Sequence, residues 1–120
     1  MEDLTGRICM LWEFDYWDGP LSGYVKLDNR AGYWVELIDE DYVSKERIYM
    51  VYQLSEEQER IALVNHALFR EHVGTHADYY EYKEIMQPES EWPKYYDAKK
   101  EMPAFQEEQI IGTTRSLWPK

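Results

Sequence analysis

The amino-acid sequence predicts an α+β fold: a curled antiparallel sheet of four or five strands packs against one helix, and an irregular C-terminal extension follows. Residues 7–53 alternate apolar and polar side chains with a period of two, interrupted by short turns, which is typical of consecutive antiparallel strands. Residues 55–74 repeat apolar side chains every three or four positions, which is typical of an amphipathic helix.

Four strands are expected before the helix, at residues 7–17, 21–28, 33–38 and 47–53. Because the links between them are short, neighbouring strands should pair antiparallel. Successive side chains of a strand point to opposite faces, so the first strand should divide its residues between the core and the other side of the sheet. Its expected inward set is Ile8, Met10, Trp12, Phe14 and Tyr16.

The helix carries its own start and stop signals. Ser55 is placed to cap the first turn, and Gln58 at the third helical position completes a capping box. Gly74 follows the last apolar position, where glycine commonly ends a helix. We therefore expect one amphipathic helix packed on one face of the sheet, so that the opposite face is not covered by the helix.

The length of 120 residues predicts a single domain. Within it, residues 1–54 should form the antiparallel strands, residues 55–74 the helix, and residues 75–120 an extension that wraps the rest. One cysteine excludes an intramolecular disulfide. The N-terminal residues lack the features of a signal peptide, and no apolar run approaches the ~18 residues that span a bilayer, so a soluble cytoplasmic protein without membrane contact is expected.

The chain is strongly acidic, with 24 carboxylate against 13 basic side chains and a net charge of −11. Such a field repels nucleic-acid phosphates and attracts cationic partners. We expect no direct contact with nucleic acid, and we expect a basic protein as the partner of a monomer or homodimer. Glycines are spread singly, without a phosphate-cradling loop, and no cofactor is expected.

The strand pattern predicts an acidic and aromatic surface on the side of the sheet away from the core. Aromatic side chains supply rigid contact area, and carboxylates steer a basic partner. This surface predicts a non-enzymatic interaction module that binds a basic protein or peptide, provided that residues 75–120 leave the face open; the pattern is equally compatible with a covered face. Its expected residues are Glu13, Asp15, Trp17, Asp18, Tyr24, Trp34 and Glu36.

A second hypothesis places a small-molecule or metal site, with hydrolytic activity as one form of it, between the turn at residues 18–23 and the end of the helix. His72 and His76 are four residues apart, a spacing that places two imidazoles on one helix face. Gly74 lies between them and should end the helix there, which weakens both as metal ligands. No side chain is assigned a catalytic role.

Overall fold

The computed structural model describes residues 1–16, 20–74 and 86–117, with only the backbone given at residues 15 and 16. Neighbouring strands pair antiparallel in the order β1-β2-β3-β4-β5, so the predicted α+β fold with a curled sheet is confirmed. The strands are β1 (Ile8–Tyr16), β2 (Pro20–Leu27), β3 (Arg30–Glu40), β4 (Arg47–Gln53) and β5 (Ile110–Thr114). The helices are α1 (Glu56–His72) and α2 (Trp92–Ala98), and short 3₁₀ turns lie at Glu89–Glu91 and Glu107–Gln109.

The terminal segments connect the two edges of the sheet. Leu4 donates its backbone N–H to Thr113 of β5 (2.7 Å), and Thr113 donates in return to Glu2 (2.9 Å). On the opposite edge, Met10 of β1 donates to the carbonyl of Leu117 (2.8 Å). Unpaired strand edges are thereby covered at both sides, and the curl of the sheet brings β1 and β5 toward each other.

The inner face of the curled sheet holds an aliphatic core. Its central side chains come from neighbouring strands and are removed from water, as antiparallel pairing of alternating sequences requires. The terminal residues Leu4 and Leu117 close this core from the two connecting segments. The buried members are Leu4, Ile8, Met10, Val25, Val35, Tyr49, Val51 and Leu117.

The other face, here called the helix face, carries a row of four aromatic side chains in register across four strands. Trp12 pairs with Tyr24, Tyr24 with Trp34, and Trp34 with Tyr52. Helix α1 lies over this row, and its Ala62 packs with Tyr24 and Trp34. The aromatic row is therefore core rather than display.

Helix α1 begins as the sequence predicts. Ser55 accepts from the backbone N–H of Gln58 (3.1 Å), and the Gln58 side chain accepts from the Ser55 N–H (3.0 Å), which confirms the capping box. At the other end, Gly74 has a φ of 139° and donates to the carbonyl of Phe69 (2.9 Å), as expected of a helix stop. No helix in the described residues is long and apolar enough to cross a membrane.

The predicted inward set of the first strand is wrong at Trp12 and Phe14, because the β1–β2 register shifts between Met10 and Trp12. Such a bulge inserts one residue and reverses the facing of those that follow. Ile8 and Met10 lie in the inner core, whereas Trp12 joins the helix face and Phe14 is 38% exposed. Tyr16 belongs to β1, and its side chain lies outside the described residues.

Gly23 lies opposite this bulge at a point of close backbone approach. A Cβ at this position would lie 2.5 Å from the Trp12 carbonyl oxygen and 2.6 Å from the Met10 sulfur. Both distances are far below van der Waals contact, and the nearer atom belongs to the backbone. No side chain fits here without moving β1.

We expect Gly23→Ala to lower the free energy of unfolding by about 1–3 kcal/mol, because the added methyl group overpacks the β1–β2 contact. Chemical denaturation of both proteins measures the difference. The sign is diagnostic, since Gly→Ala at an unstrained position raises stability by about 0.4–1 kcal/mol. An unchanged or higher unfolding free energy would contradict the close approach.

Candidate functional site

The predicted acidic and aromatic surface is divided in the structure. Tyr24 and Trp34 are only 3% and 2% exposed, because α1 packs on the face that carries them. Glu13 is 4% exposed, because the bulge in β1 turns it away from solvent. The expectation that these three side chains are displayed is wrong. The face is covered mainly by α1, which the sequence pattern assigns to the opposite side of the sheet, and residues 102 and 105 of the predicted extension cover the rest.

The remaining predicted residues are placed differently. Glu36 is half-buried on β3, opposite Ser22 of β2. Asp15 pairs with Ser22 through the backbone of β1, and its side chain is not among those described. Trp17 and Asp18 lie outside the described residues. Glu36 is thus the one predicted carboxylate that the described structure leaves partly accessible on this sheet.

Buried Glu13 contributes to a polar cluster at the end of the inner face. Burial raises the pKa of Tyr49, and the negative charges of Glu40 and Glu13 act in the same direction against the guanidinium of Arg47. Tyr49 donates its hydroxyl to the carbonyl of Pro20 (2.7 Å), which also accepts from Arg47 (3.1 Å). These contacts tie the start of β2 to β4 and give the cluster a structural role.

Tyr24 is also held by a carboxylate, through a hydrogen bond from its hydroxyl to Glu59 Oε1 of α1 (3.0 Å). Burial, together with this carboxylate, raises the pKa of Tyr24 to about 12. The hydroxyl therefore stays protonated in the folded protein at pH values where an unfolded tyrosine ionises. The contact anchors α1 to the centre of the aromatic row.

The raised pKa of Tyr24 predicts a loss of stability in strong base. The folded state keeps the Tyr24 hydroxyl protonated up to about pH 12, and the unfolded state only up to about pH 10. The contribution of this difference to the free energy of unfolding is therefore complete below about pH 10 and is lost as the pH rises toward about 12. Tyr24→Phe should make the decline in unfolding free energy shallower, by up to about 2 kcal/mol across this range. Urea denaturation at several pH values measures it.

Tyr42→Phe is the matched control, because Tyr42 is 78% exposed. Its pH profile should follow that of the wild type. Equal slopes for the wild type and Tyr24→Phe would contradict the linkage.

A cleft of about 530 Å³ opens between the helix face and the chain that follows α2. Its floor is formed by Ser22, Trp34 and Glu36 of the sheet, with Phe14 at one side. Its roof is the strap, defined here as residues 99–106, which has no regular secondary structure. The volume lies in the usual range of small-molecule sites.

Two buried amide side chains of α1 hold the strap in place. Asn65 donates to the carbonyl of Lys100 (2.7 Å) and accepts from the N–H of the same residue (2.8 Å). Gln58 donates to the carbonyl of Pro103 (3.1 Å) and accepts from Gln109 (2.6 Å). Asn65 and Gln58 are 3% and 2% exposed, so each compensates its own burial through bonds to the strap or to the residues beyond it.

We expect Asn65→Ala to loosen the strap, because the variant loses both hydrogen bonds to Lys100. The amide hydrogen of Lys100 should exchange about tenfold faster, and the unfolding free energy should fall by about 1–3 kcal/mol. Hydrogen exchange measured by NMR tests this. Leu63→Ala, at an exposed position on the same helix, should leave the exchange of Lys100 unchanged. Unchanged protection in Asn65→Ala would contradict the anchoring.

A second accessible feature is the hairpin tip, defined as residues 39–46, which comprises the last two residues of β3 and the loop that leads to β4. Tyr42 and Val43 are 78% and 94% exposed there. Asp41 Oδ1 accepts from the N–H groups of Val43 (2.9 Å) and Ser44 (3.3 Å), and these bonds lower the pKa of the carboxyl group. Lys45 closes the turn with a φ of 64° and a bond to the carbonyl of Asp41 (2.7 Å).

The alternative histidine site is described only in part. His72 ends α1, with Nδ1 3.9 Å from Glu91 and Nε2 3.8 Å from Glu71. His76 lies outside the described residues. Within the described residues, no group of three or more histidine, cysteine or carboxylate side chains is arranged to hold a metal ion.

Sequence reasoning missed the strap and the hairpin tip. The anchoring of the strap by Asn65 depends on a contact 35 residues away along the chain, and no local signal marks it. The hairpin tip had one usable signal, an Asp41 followed by Ser44 in a polar loop, which is typical of side-chain-capped turns.

Comparison with protein-family models, with curated proteins and with solved structures gave no match.

Proposed function

We propose that the protein is a non-enzymatic interaction module that binds a basic protein or peptide through the acidic and aromatic groups at the β3–β4 end of its sheet. The observation that carries the proposal is the hairpin tip, where two exposed apolar side chains stand among carboxylates. Contiguous exposed apolar groups that are rimmed by polar residues are typical of protein–protein contact sites. Tyr42 supplies the rigid, amphipathic area found at the centre of interfaces.

The charge of the hairpin tip favours a cationic partner. It contains four carboxylates, from Asp39, Glu40, Asp41 and Glu46, and one basic side chain, Lys45. Two of the carboxylates contact arginines outside the tip, since Glu40 lies 3.3 Å from Arg47 and Glu46 lies 3.2 Å from Arg115. With a net charge of −11, the whole molecule adds to the attraction of a basic surface and repels a second copy of itself.

The conformation of the hairpin tip is fixed before any partner arrives. The bonds that Asp41 accepts, and the one that Lys45 donates, define the backbone on which Tyr42 and Val43 stand. A loop that is already ordered loses little conformational entropy on binding, so more of the contact energy appears as affinity. The fitting partner has an apolar recess for Tyr42 and a basic rim.

Selection from a displayed library of random linear peptides tests the proposal and requires no identified partner. The immobilised full-length protein should enrich peptides that combine lysine or arginine with apolar residues. For the tightest synthetic peptide, Tyr42→Ala should weaken binding at least tenfold, as expected of a central aromatic contact. Asp41→Asn keeps an oxygen for the turn but removes the charge, so it should weaken binding mainly at low salt.

Matched controls are available elsewhere on the surface. Leu63→Ala removes an exposed apolar side chain from α1, and Asp97→Asn removes an exposed charge from α2. Both should bind the selected peptide as the wild type does. Enrichment of acidic or neutral peptides, or equal binding by Tyr42→Ala, would contradict the proposal.

A further inference from the structure

A half-buried carboxylate lies in the floor of the cleft beneath the strap. Glu36 lines the cleft and is half-buried, whereas the other charged residues that line it, Lys99, Lys100 and Glu101, are exposed. Charges on exposed side chains are screened by water and salt, while a charge that is partly removed from water acts more strongly on its surroundings. Glu36 therefore dominates the electrostatics in the interior of the cleft.

The effect of this carboxylate on a neighbouring group is visible at Tyr52. Burial raises the pKa of Tyr52 on β4, and the negative charge of Glu36 acts in the same direction. A carboxylate that disfavours a second negative charge nearby favours a cation for the same reason. Its two oxygens together accept about four hydrogen bonds, so it can hold a donor group that carries several N–H bonds.

The walls of the cleft are largely apolar and include accessible aromatic rings. Phe14 is 38% exposed at one side, and the strap contributes the half-buried Met102 and Phe105. Tyr96 of α2 is 58% exposed, and the ammonium group of Lys99 lies 5.7 Å from the centre of its ring. One aromatic ring of the cleft thus already attracts a cation, and Phe14 offers a second ring beside the carboxylate floor.

Among the cationic side chains of proteins, arginine matches these features best. Its guanidinium group is planar, donates two parallel hydrogen bonds to one carboxylate and stacks on aromatic rings. Its hydrocarbon stem lies along apolar surface while the charged end meets a polar group. A lysine ammonium is more strongly hydrated and lacks the planar geometry, so it gains less from the same walls. The cleft volume of about 530 Å³ holds such a side chain together with part of the backbone that carries it.

The cleft is close enough to the hairpin tip for one peptide to reach both. Glu36 and Ser22 also line an open recess of about 320 Å³ together with Leu21 and Leu37, so the cleft continues along β3. The hairpin tip begins at Asp39, three residues after Glu36 on the same strand, which corresponds to roughly 10 Å. An extended peptide covers this distance with about three residues.

We propose that the cleft binds an arginine side chain of the basic peptide. The guanidinium group donates two hydrogen bonds to the carboxylate of Glu36 and lies against the ring of Phe14, and the stem lies along Met102 and Phe105. The inference deepens the proposed function and rests on it for the peptide. The cleft itself is tested with a single amino-acid derivative, which is too short to reach the hairpin tip.

N-acetyl-arginine methylamide is the probe, and its binding to the full-length protein is followed through the methyl signal of Met102 in ¹H–¹³C NMR. Met102→Leu assigns this signal among the five methionines. The probe should shift it with a Kd of about 1 mM and leave the signal of Met10, in the inner core, unchanged. The corresponding citrulline derivative has nearly the same shape but no charge, so it should bind about tenfold more weakly.

Glu36→Gln should weaken binding of the arginine probe about tenfold, because it removes the charge and keeps the shape of the side chain. Phe14→Leu should weaken it about threefold, because an apolar side chain remains but the ring is lost. Glu57→Gln removes an exposed carboxylate of α1 outside the cleft and should bind the probe as the wild type does. The comparison of arginine with citrulline uses the wild-type protein, so it stays decisive should Glu36→Gln perturb the sheet.

Tyr42→Ala should also bind the arginine probe as the wild type does, because Tyr42 lies outside the cleft. The peptide selection therefore tests the hairpin tip, and the probe tests the cleft. No shift of the Met102 signal, equal binding of the arginine and citrulline derivatives, or unchanged affinity in Glu36→Gln would each overturn the inference, whatever the outcome of the peptide selection.

Discussion

Four aromatic side chains in register across four strands are the constraint on which the rest of the structure depends. The row formed by Trp12, Tyr24, Trp34 and Tyr52 is too large and apolar to face water, and a single helix is too narrow to cover it. Helix α1 covers the Trp12–Tyr24 side, where Trp12 also stacks on His66 at 3.9 Å. The strap covers the other side through Phe105 and Met102, and the cleft remains where the two covers do not meet.

The strap has no secondary structure of its own, so its position depends on side chains that belong to α1. A buried side-chain amide lowers the stability of the fold when it is unpaired, and it accepts a partner only in defined directions. Asn65 and Gln58 therefore stabilise the strap and also determine where it lies. Asn65 forms hydrogen bonds with both the N–H and the carbonyl of Lys100, and these two bonds fix the position of that residue of the strap. The cleft consequently has a defined roof, although the roof is irregular chain.

The fold was predictable from the sequence where the information is local. Alternation located the strands, and Ser55 with Gln58 located the start of α1 within one residue. Prediction ended at features that local pattern does not encode. The bulge after Met10 reverses the facing of Glu13 and brings Trp12 into the aromatic row that α1 covers. The anchoring of the strap is a pairing between distant segments, and no periodicity indicates it.

The sequence is rich in tyrosine and tryptophan, and these residues lie in the core as well as at the two accessible features, the cleft and the hairpin tip. An aromatic side chain with a polar atom can complete a core only if that atom finds a partner or reaches the edge. The Tyr24 hydroxyl donates to Glu59, and the Tyr49 hydroxyl donates to the carbonyl of Pro20. The indole nitrogen of Trp34 is buried and makes no hydrogen bond to any described residue. β3 carries Trp34 and runs on into the hairpin tip, so one strand joins a recessed polar group at its centre to an exposed aromatic contact beyond its end.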